Sequence, residues 1–260
     1  MSVLVVTGGS RGIGAAICRL GAGRGWAVCV NYASSADEAA GVVSGIEGAG
    51  ARAIAVQANV SQPQEVEAMF RQVDEALGPV TGLVNNAGIG GSGSPVQDLD
   101  AEKTRAMFEV NILGPFLCSQ AAIKRMAKPI SGAGGGAGGG TGGAIVNIYS
   151  AAAKHGGPGS YVDYAASKAA VDTFTYGLAC EQAAAGIRVN CLRPGATMTE
   201  MNVRWMEEHP DWLDRVLAKI PMKRAAEVDE IAKAALWLLS DEASYVTGAI
   251  LDASGGWVTP

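Results

Sequence analysis

Tyr164 and Lys168 stand four residues apart within Tyr161-Val162-Asp163-Tyr164-Ala165-Ala166-Ser167-Lys168. No Gly or Pro occurs from Tyr161 to Tyr176 and Ala is frequent, so the stretch reads as helix. Residues four apart on a helix stack on one face, which makes the phenol and the ammonium neighbours. A free tyrosine, with a pKa of about 10, is a poor acid–base group at neutral pH. An adjacent ammonium favours the phenolate and is expected to lower that value. Such a tyrosine can give a proton to a carbonyl oxygen or take one from an alcohol. An Ala-rich helix also carries this pair by chance, so the pair needs support from elsewhere.

The first support is a glycine-rich turn. Gly8, Gly12 and Gly14 follow a short apolar strand, Val3–Val6, and precede a helix expected over Ala15–Gly23. Glycines at this spacing allow a tight turn and a close backbone approach to a pyrophosphate, which then faces a helix N-terminus. The same spacing also occurs in ordinary tight turns, but here it lies between a strand and a helix. A dinucleotide site built on Gly8, Ser10, Arg11, Gly12, Ile13 and Gly14 is expected. The second strand ends in Asn31-Tyr32-Ala33-Ser34-Ser35, with no acid until Asp37. An NAD site usually holds the ribose with Asp or Glu there. Arg11 and Ser34 suit a 2′-phosphate instead, so NADP(H) is the expected cofactor and NAD(H) the second choice. Asn59 and Val60, after the third strand, are candidates for the adenine. Asn86, Ala87 and Gly88, closing the fourth, are candidates for the ribose. Either group also reads as a turn signal.

Strand and helix patterns alternate from end to end without a linker. They predict one α/β domain over residues 1–260, a doubly wound Rossmann-type fold with about seven parallel strands flanked by helices. Ala101–Lys128 reads as one long helical segment interrupted near Gly114-Pro115. Residues 131–143 are a low-complexity Gly run, expected as a mobile surface loop.

Composition narrows the classes. With 260 residues, 48% hydrophobic and 17% charged, the chain can bury a large core. A net charge of −5 without a basic cluster argues against nucleic acid. No apolar run reaches the roughly 18 residues of a membrane span, and no basic signal-peptide start is expected from the N-terminal residues. The five scattered cysteines are expected as buried free thiols of a cytoplasmic protein, and two histidines make a metal site unexpected.

Five elements, taken in order, resemble the single-domain branch of the short-chain dehydrogenase/reductase family. They are Thr7 with the glycine turn to Gly14, Asn85-Asn86-Ala87-Gly88, Asn111 in a helix, Ser150 after a strand, and Tyr164-x-x-x-Lys168. The nearest likeness is to β-ketoacyl-carrier-protein reductases and glucose dehydrogenases. The resemblance implies Tyr164 as acid and base, Lys168 on the nicotinamide ribose, Ser150 on the substrate oxygen, and Asn111 holding a proton-relay water. It also implies carboxamide contacts at Pro194, Gly195, Thr197 and Thr199, and a helical substrate lid at about 198–222 with Met198, Met201, Trp205 and Met206. His155 and Tyr161 are expected to border the substrate. A homotetramer is implied first, a dimer second. Three departures stand out. The Ser150–Tyr164 interval is one residue long, which brings Ser160 into consideration. Asn59 replaces the family's usual Asp, and the Gly run is extended. The expected activity is NADPH-dependent interconversion of a small-molecule carbonyl and a secondary alcohol. The alternatives are an NAD-dependent sugar or alcohol dehydrogenase and a non-catalytic dinucleotide-binding regulator.

Overall fold

The computed structural model describes residues 2–128, 140–200, 202–203 and 211–257. The strands are β1 (Val3–Val6), β2 (Ala27–Tyr32), β3 (Ala53–Gln57), β4 (Gly82–Asn85), β5 (Gly143–Ile148), β6 (Ile187–Pro194) and β7 (Ile250–Ala253). They form one sheet in the order β3-β2-β1-β4-β5-β6-β7, and every pairing is parallel. Central strands are apolar on both faces because helices cover both. In β1, Leu4 and Val6 point into one core with α1 (Gly12–Gly23), α2 (Ala36–Gly48) and α9 (Val228–Leu239). Val3 and Val5 point into the other, with α3 (Pro63–Ala76), α5 (Gly114–Met126) and α7 (Val162–Gln182). The chain leaves β1 toward β2 and returns to β4 on its other side. That reversal opens a crevice at the carboxyl ends of β1 and β4, where such sheets bind ligands.

Several elements differ from expectation. The first helix begins at Gly12, inside the glycine turn rather than after it. The long segment is interrupted next to Gly114-Pro115, by a π turn, Glu109–Leu113, that joins α4 (Ala101–Phe108) to α5. Pro115 follows that turn and, lacking an N–H, cannot close the i→i−4 bond of an unbroken α-helix there. The combined helix Ala101–Met126 is long and apolar enough to cross a membrane by length and composition, contrary to the sequence reading; 44% of its most apolar window is buried within the fold. One further helix appears, α6 (Ala152–His155), while α8 (Trp212–Lys219) falls within the helical segment expected at about 198–222. Cys18, Cys29, Cys118 and Cys191 are buried, but Cys180 is exposed on the outer face of α7. Most of the Gly run, and Met201, Trp205 and Met206 of the expected lid, lie outside the described residues.

Candidate active site

Thr7 ties the crevice together. Its hydroxyl oxygen accepts from the backbone N–H groups of Asn86 at 2.9 Å and Ala87 at 3.0 Å, and the hydroxyl donates to the Val84 carbonyl at 3.3 Å. Asn86 Nδ2 donates back to the carbonyls of Thr7 and Gly8, each at 3.0 Å. Gly8 and Gly12 hold φ of +61° and +54°, a region that disfavours any side chain. Gly14 is needed for a different reason: a Cβ there would overlap the Gly8 carbonyl. The first N–H groups of α1 thus face the crevice without helical partners, which suits an anion.

Asn31 lines the crevice, but its side chain is committed to the fold. It accepts from Gly8 N–H at 3.2 Å and donates to the carbonyls of Val56 at 3.3 Å and Ala58 at 3.0 Å. Asn59 Oδ1 similarly accepts from Ser61 N–H and hydroxyl at 3.1 and 2.9 Å. The Arg11 side chain, half exposed, meets Glu200 at 3.8 Å. An exposed pair of this kind is weak, so Arg11 is easily recruited by a stronger anion.

At the other end β5 delivers Tyr149 and Ser150, and α7 delivers Tyr164 and Lys168. Lys168 Nζ lies 5.3 Å from the ring centroids of both Tyr149 and Tyr164. Behind it the π turn buries Asn111, whose Oδ1 accepts from Ile89 N–H at 2.9 Å. Its Nδ2 donates to the Ile89 carbonyl at 3.0 Å and to Ser167 Oγ at 3.2 Å. An extra residue in the turn rotates Asn111 inward, a common use of π turns at functional sites. A Cβ on Gly88 would lie 3.1 Å from Lys168 Nζ and 3.3 Å from Asn111 Oδ1, so glycine keeps the space above both open.

The electrostatics overturn one expectation. Tyr164 is pushed up to about 12, first by burial, while a hydrogen bond with Ser150 pulls the other way. Burial drives Lys168 down to about 8. Desolvation, with Tyr161 adding to it, outweighs the Ser150 contribution, and the phenol is held protonated. Ser150, not Ser160, lines the cavity with Tyr164, despite the long interval. That interval is absorbed by α6 and by the left-handed Gly156, Gly157 and Gly159.

A cavity of about 530 Å³ joins the two ends. Gly8, Ser10, Arg11, Gly12, Ile13, Asn31, Ser34, Asn59, Val60, Asn86, Ala87 and Gly88 line one half. Ser150, Tyr164, Lys168, Pro194, Gly195, Thr197 and Thr199 line the other, so these expected residues share one wall. Gly14 and Asn111 stand behind it, and Met198 is exposed and does not line it. His155 and Tyr161 reach it, as expected. Trp257 and Asn202 reach it unforeseen. Trp257 arrives from the end of the described chain, and its only sequence signal is the Gly255-Gly256 pair that turns it back.

A family model for enoyl-(acyl carrier protein) reductases matches residues 8–258. The chain is 48% identical over 256 residues to the uncharacterized oxidoreductase YgfF of Escherichia coli, covering 98% of this chain and 100% of that protein. It is 36% identical to a Staphylococcus epidermidis 3-oxoacyl-[acyl-carrier-protein] reductase, FabG, over 97% of each chain. Among solved structures, a short-chain dehydrogenase from Burkholderia cenocepacia in complex with NADP superposes with a TM-score of 0.88 at 35% identity, covering 98% of this chain and 97% of that one. This chain is an oxidoreductase belonging to the short-chain dehydrogenase/reductase family.

Proposed function

We propose that the protein is an NADP(H)-dependent carbonyl reductase, one domain over residues 1–260, in which Tyr164 is the acid and base. The observation that carries this reading is the meeting of Ser150, Tyr164 and Lys168 in the cavity that opens from the glycine turn. The residues fit a dinucleotide. Gly8, Gly12 and the N-terminus of α1 cradle a pyrophosphate, and the space kept by Gly88 leaves room for a ribose over Lys168. Arg11 and Ser34 take the 2′-phosphate, in line with the NADP named for the Burkholderia relative. Pro194, Gly195, Thr197 and Thr199 hold the nicotinamide end. The bound cofactor supplies the hydride.

The chain's own residues handle the oxygen. Ser150 orients the substrate carbonyl, and the protonated Tyr164 gives its proton as charge develops there. Charged Lys168 stabilises the phenolate left behind. Asn111 fixes the 88–90 backbone and holds a relay water toward Lys168. A phenol held protonated favours reduction at neutral pH over oxidation. The test follows NADPH absorbance with a panel of ketones, quinones, sugars and acyl thioesters. Tyr164→Phe is expected to lower turnover by about 100- to 10,000-fold. Unchanged turnover would remove Tyr164 from the proton step.

We propose a homotetramer built through the Ala101–Met126 helix and α7. Phe108, Leu113 and Phe116 are exposed along an open apolar groove there, and Phe116 stacks on Phe174 of α7 at 3.8 Å. Light scattering at micromolar concentration tests it, and a monomer refutes it.

A further inference from the structure

Three aromatic rings continue from Tyr164 toward the far end of the cavity. Tyr161 meets Tyr164 edge-on at 6.4 Å between centroids. His155 meets Tyr161 edge-on at 5.9 Å and stacks on Trp257 at 4.9 Å with 16° between planes. All of them line the cavity.

The arrangement is built into the backbone. Gly156 and Gly157 have φ of +72° and +58°, and a Cβ on Gly157 would lie 2.6 Å from Cε2 of Tyr161, so the loop closes tightly on that ring. Trp257 is held by a turn in which its N–H donates to the Ser254 carbonyl at 3.1 Å and Ser254 Oγ donates to its carbonyl at 3.2 Å. Gly255 and Gly256 make that turn at φ of +64° and +85°, and a Cβ on Gly256 would press on Pro221. Trp257 also packs with Ala196, Val216 and Ile220. The one polar atom His155 has engaged is Nδ1, which accepts from Gly157 N–H at 3.4 Å. Burial, with the Lys219 charge adding to it, depresses the His155 pKa, so this wall is uncharged at neutral pH.

We infer that this aromatic wall selects carbonyl substrates bearing a flat, conjugated substituent, the aryl-ketone class, over saturated substrates of equal size. This rests on the carbonyl-reductase reading above. With the carbonyl oxygen at Ser150 and Tyr164, the substituent extends along Tyr161 toward His155 and Trp257. Flat rings gain offset and edge-to-face contacts there that a puckered or flexible chain lacks.

The test compares kcat/KM for 1-phenylethanone, 1-cyclohexylethanone and octan-2-one with NADPH. The phenyl ketone is expected to lead each of the others by about 3- to 10-fold, the usual gain of an aromatic pair. Trp257→Leu, which keeps bulk without a ring, is expected to bring the phenyl-to-cyclohexyl ratio toward one. A wild-type ratio of one or less, a lead for octan-2-one, or an unchanged ratio in Trp257→Leu overturns the inference. The wild-type ratio decides alone if the variant folds poorly. Turnover without discrimination sinks only this inference, whereas failure of every carbonyl in the wider panel sinks the reductase reading with it.

Discussion

Gly88 sets the clearance above Lys168: a single methyl on Gly88 would stand 3.1 Å from Nζ of the lysine and crowd Asn111 as well. Gly88 does not sit at positive φ, so Ala is tolerated by the backbone and the cost falls on the lysine. Gly88→Ala is expected to lower kcat/KM by about 10-fold or more, because small displacements of a positioning group cost rate steeply. The melting temperature should move little. A variant with full activity would show that Lys168 needs no such clearance.

The two shifted ionisations give a pH profile. Tyr164 stays protonated up to about 12, whereas Lys168 loses its charge through about 8. Reduction needs the ammonium to stabilise the phenolate. Its rate should therefore hold below about pH 7 and fall about tenfold per pH unit above about 8, well before the phenol itself ionises. Oxidation needs the phenolate and should gain from rising pH until the lysine titrates. Lys168→Arg keeps its charge across this range, so the alkaline fall of its residual activity should move upward. A wild-type reduction rate flat to pH 10 would contradict the assignment. The same depression makes the folded state bind fewer protons than the unfolded chain between about 8 and 10.5, so this group's contribution to stability rises with pH across that window.

Thr7 carries a prediction about stability rather than rate. Its hydroxyl is buried and serves the N–H groups of Asn86 and Ala87. Thr7→Val keeps the shape but leaves both donors unpaired, each costing about 1–3 kcal/mol. Urea unfolding should show a loss of about 2–6 kcal/mol, mostly recovered in Thr7→Ser. Equal stability of the Val variant would mean the two donors find other partners.

What was legible in the sequence was local or periodic. The uniform apolar run of β1 announces a strand covered on both sides, and the Tyr164–Lys168 spacing is a property of any helix. The glycine turn could be read because Gly8, Gly12 and Gly14 sit beside the strand they terminate. What stayed hidden depends on contacts distant in sequence. Trp257 reaches the cavity from about 100 residues beyond His155. The direction of the Tyr164 shift follows from how much chain surrounds the phenol, which spacing does not encode. Asn31 looked free for a cofactor because its partners, Val56 in β3 and Ala58 just after it, come later in the chain. Gly114-Pro115 marked the place of the irregularity in that helix, but nothing in the sequence showed that it takes the form of a π turn over Glu109–Leu113.

Arg11 and Glu200 set the last prediction, on cofactor choice. Their 3.8 Å contact is exposed and weak, so a 2′-phosphate entering beside Ser34 competes with Glu200 for the guanidinium. Losing a charge-assisted phosphate contact costs about 1.5–3 kcal/mol. Arg11→Ala is therefore expected to raise KM for NADPH by about 10- to 100-fold while changing KM for NADH much less. Glu200→Gln acts in the opposite sense. It frees Arg11 and removes a negative charge from the cavity rim, so KM for NADPH should fall. Equal effects of Arg11→Ala on both cofactors would mean that Arg11 meets the shared pyrophosphate instead, and the expected preference for NADPH would then have to rest on Ser34 alone.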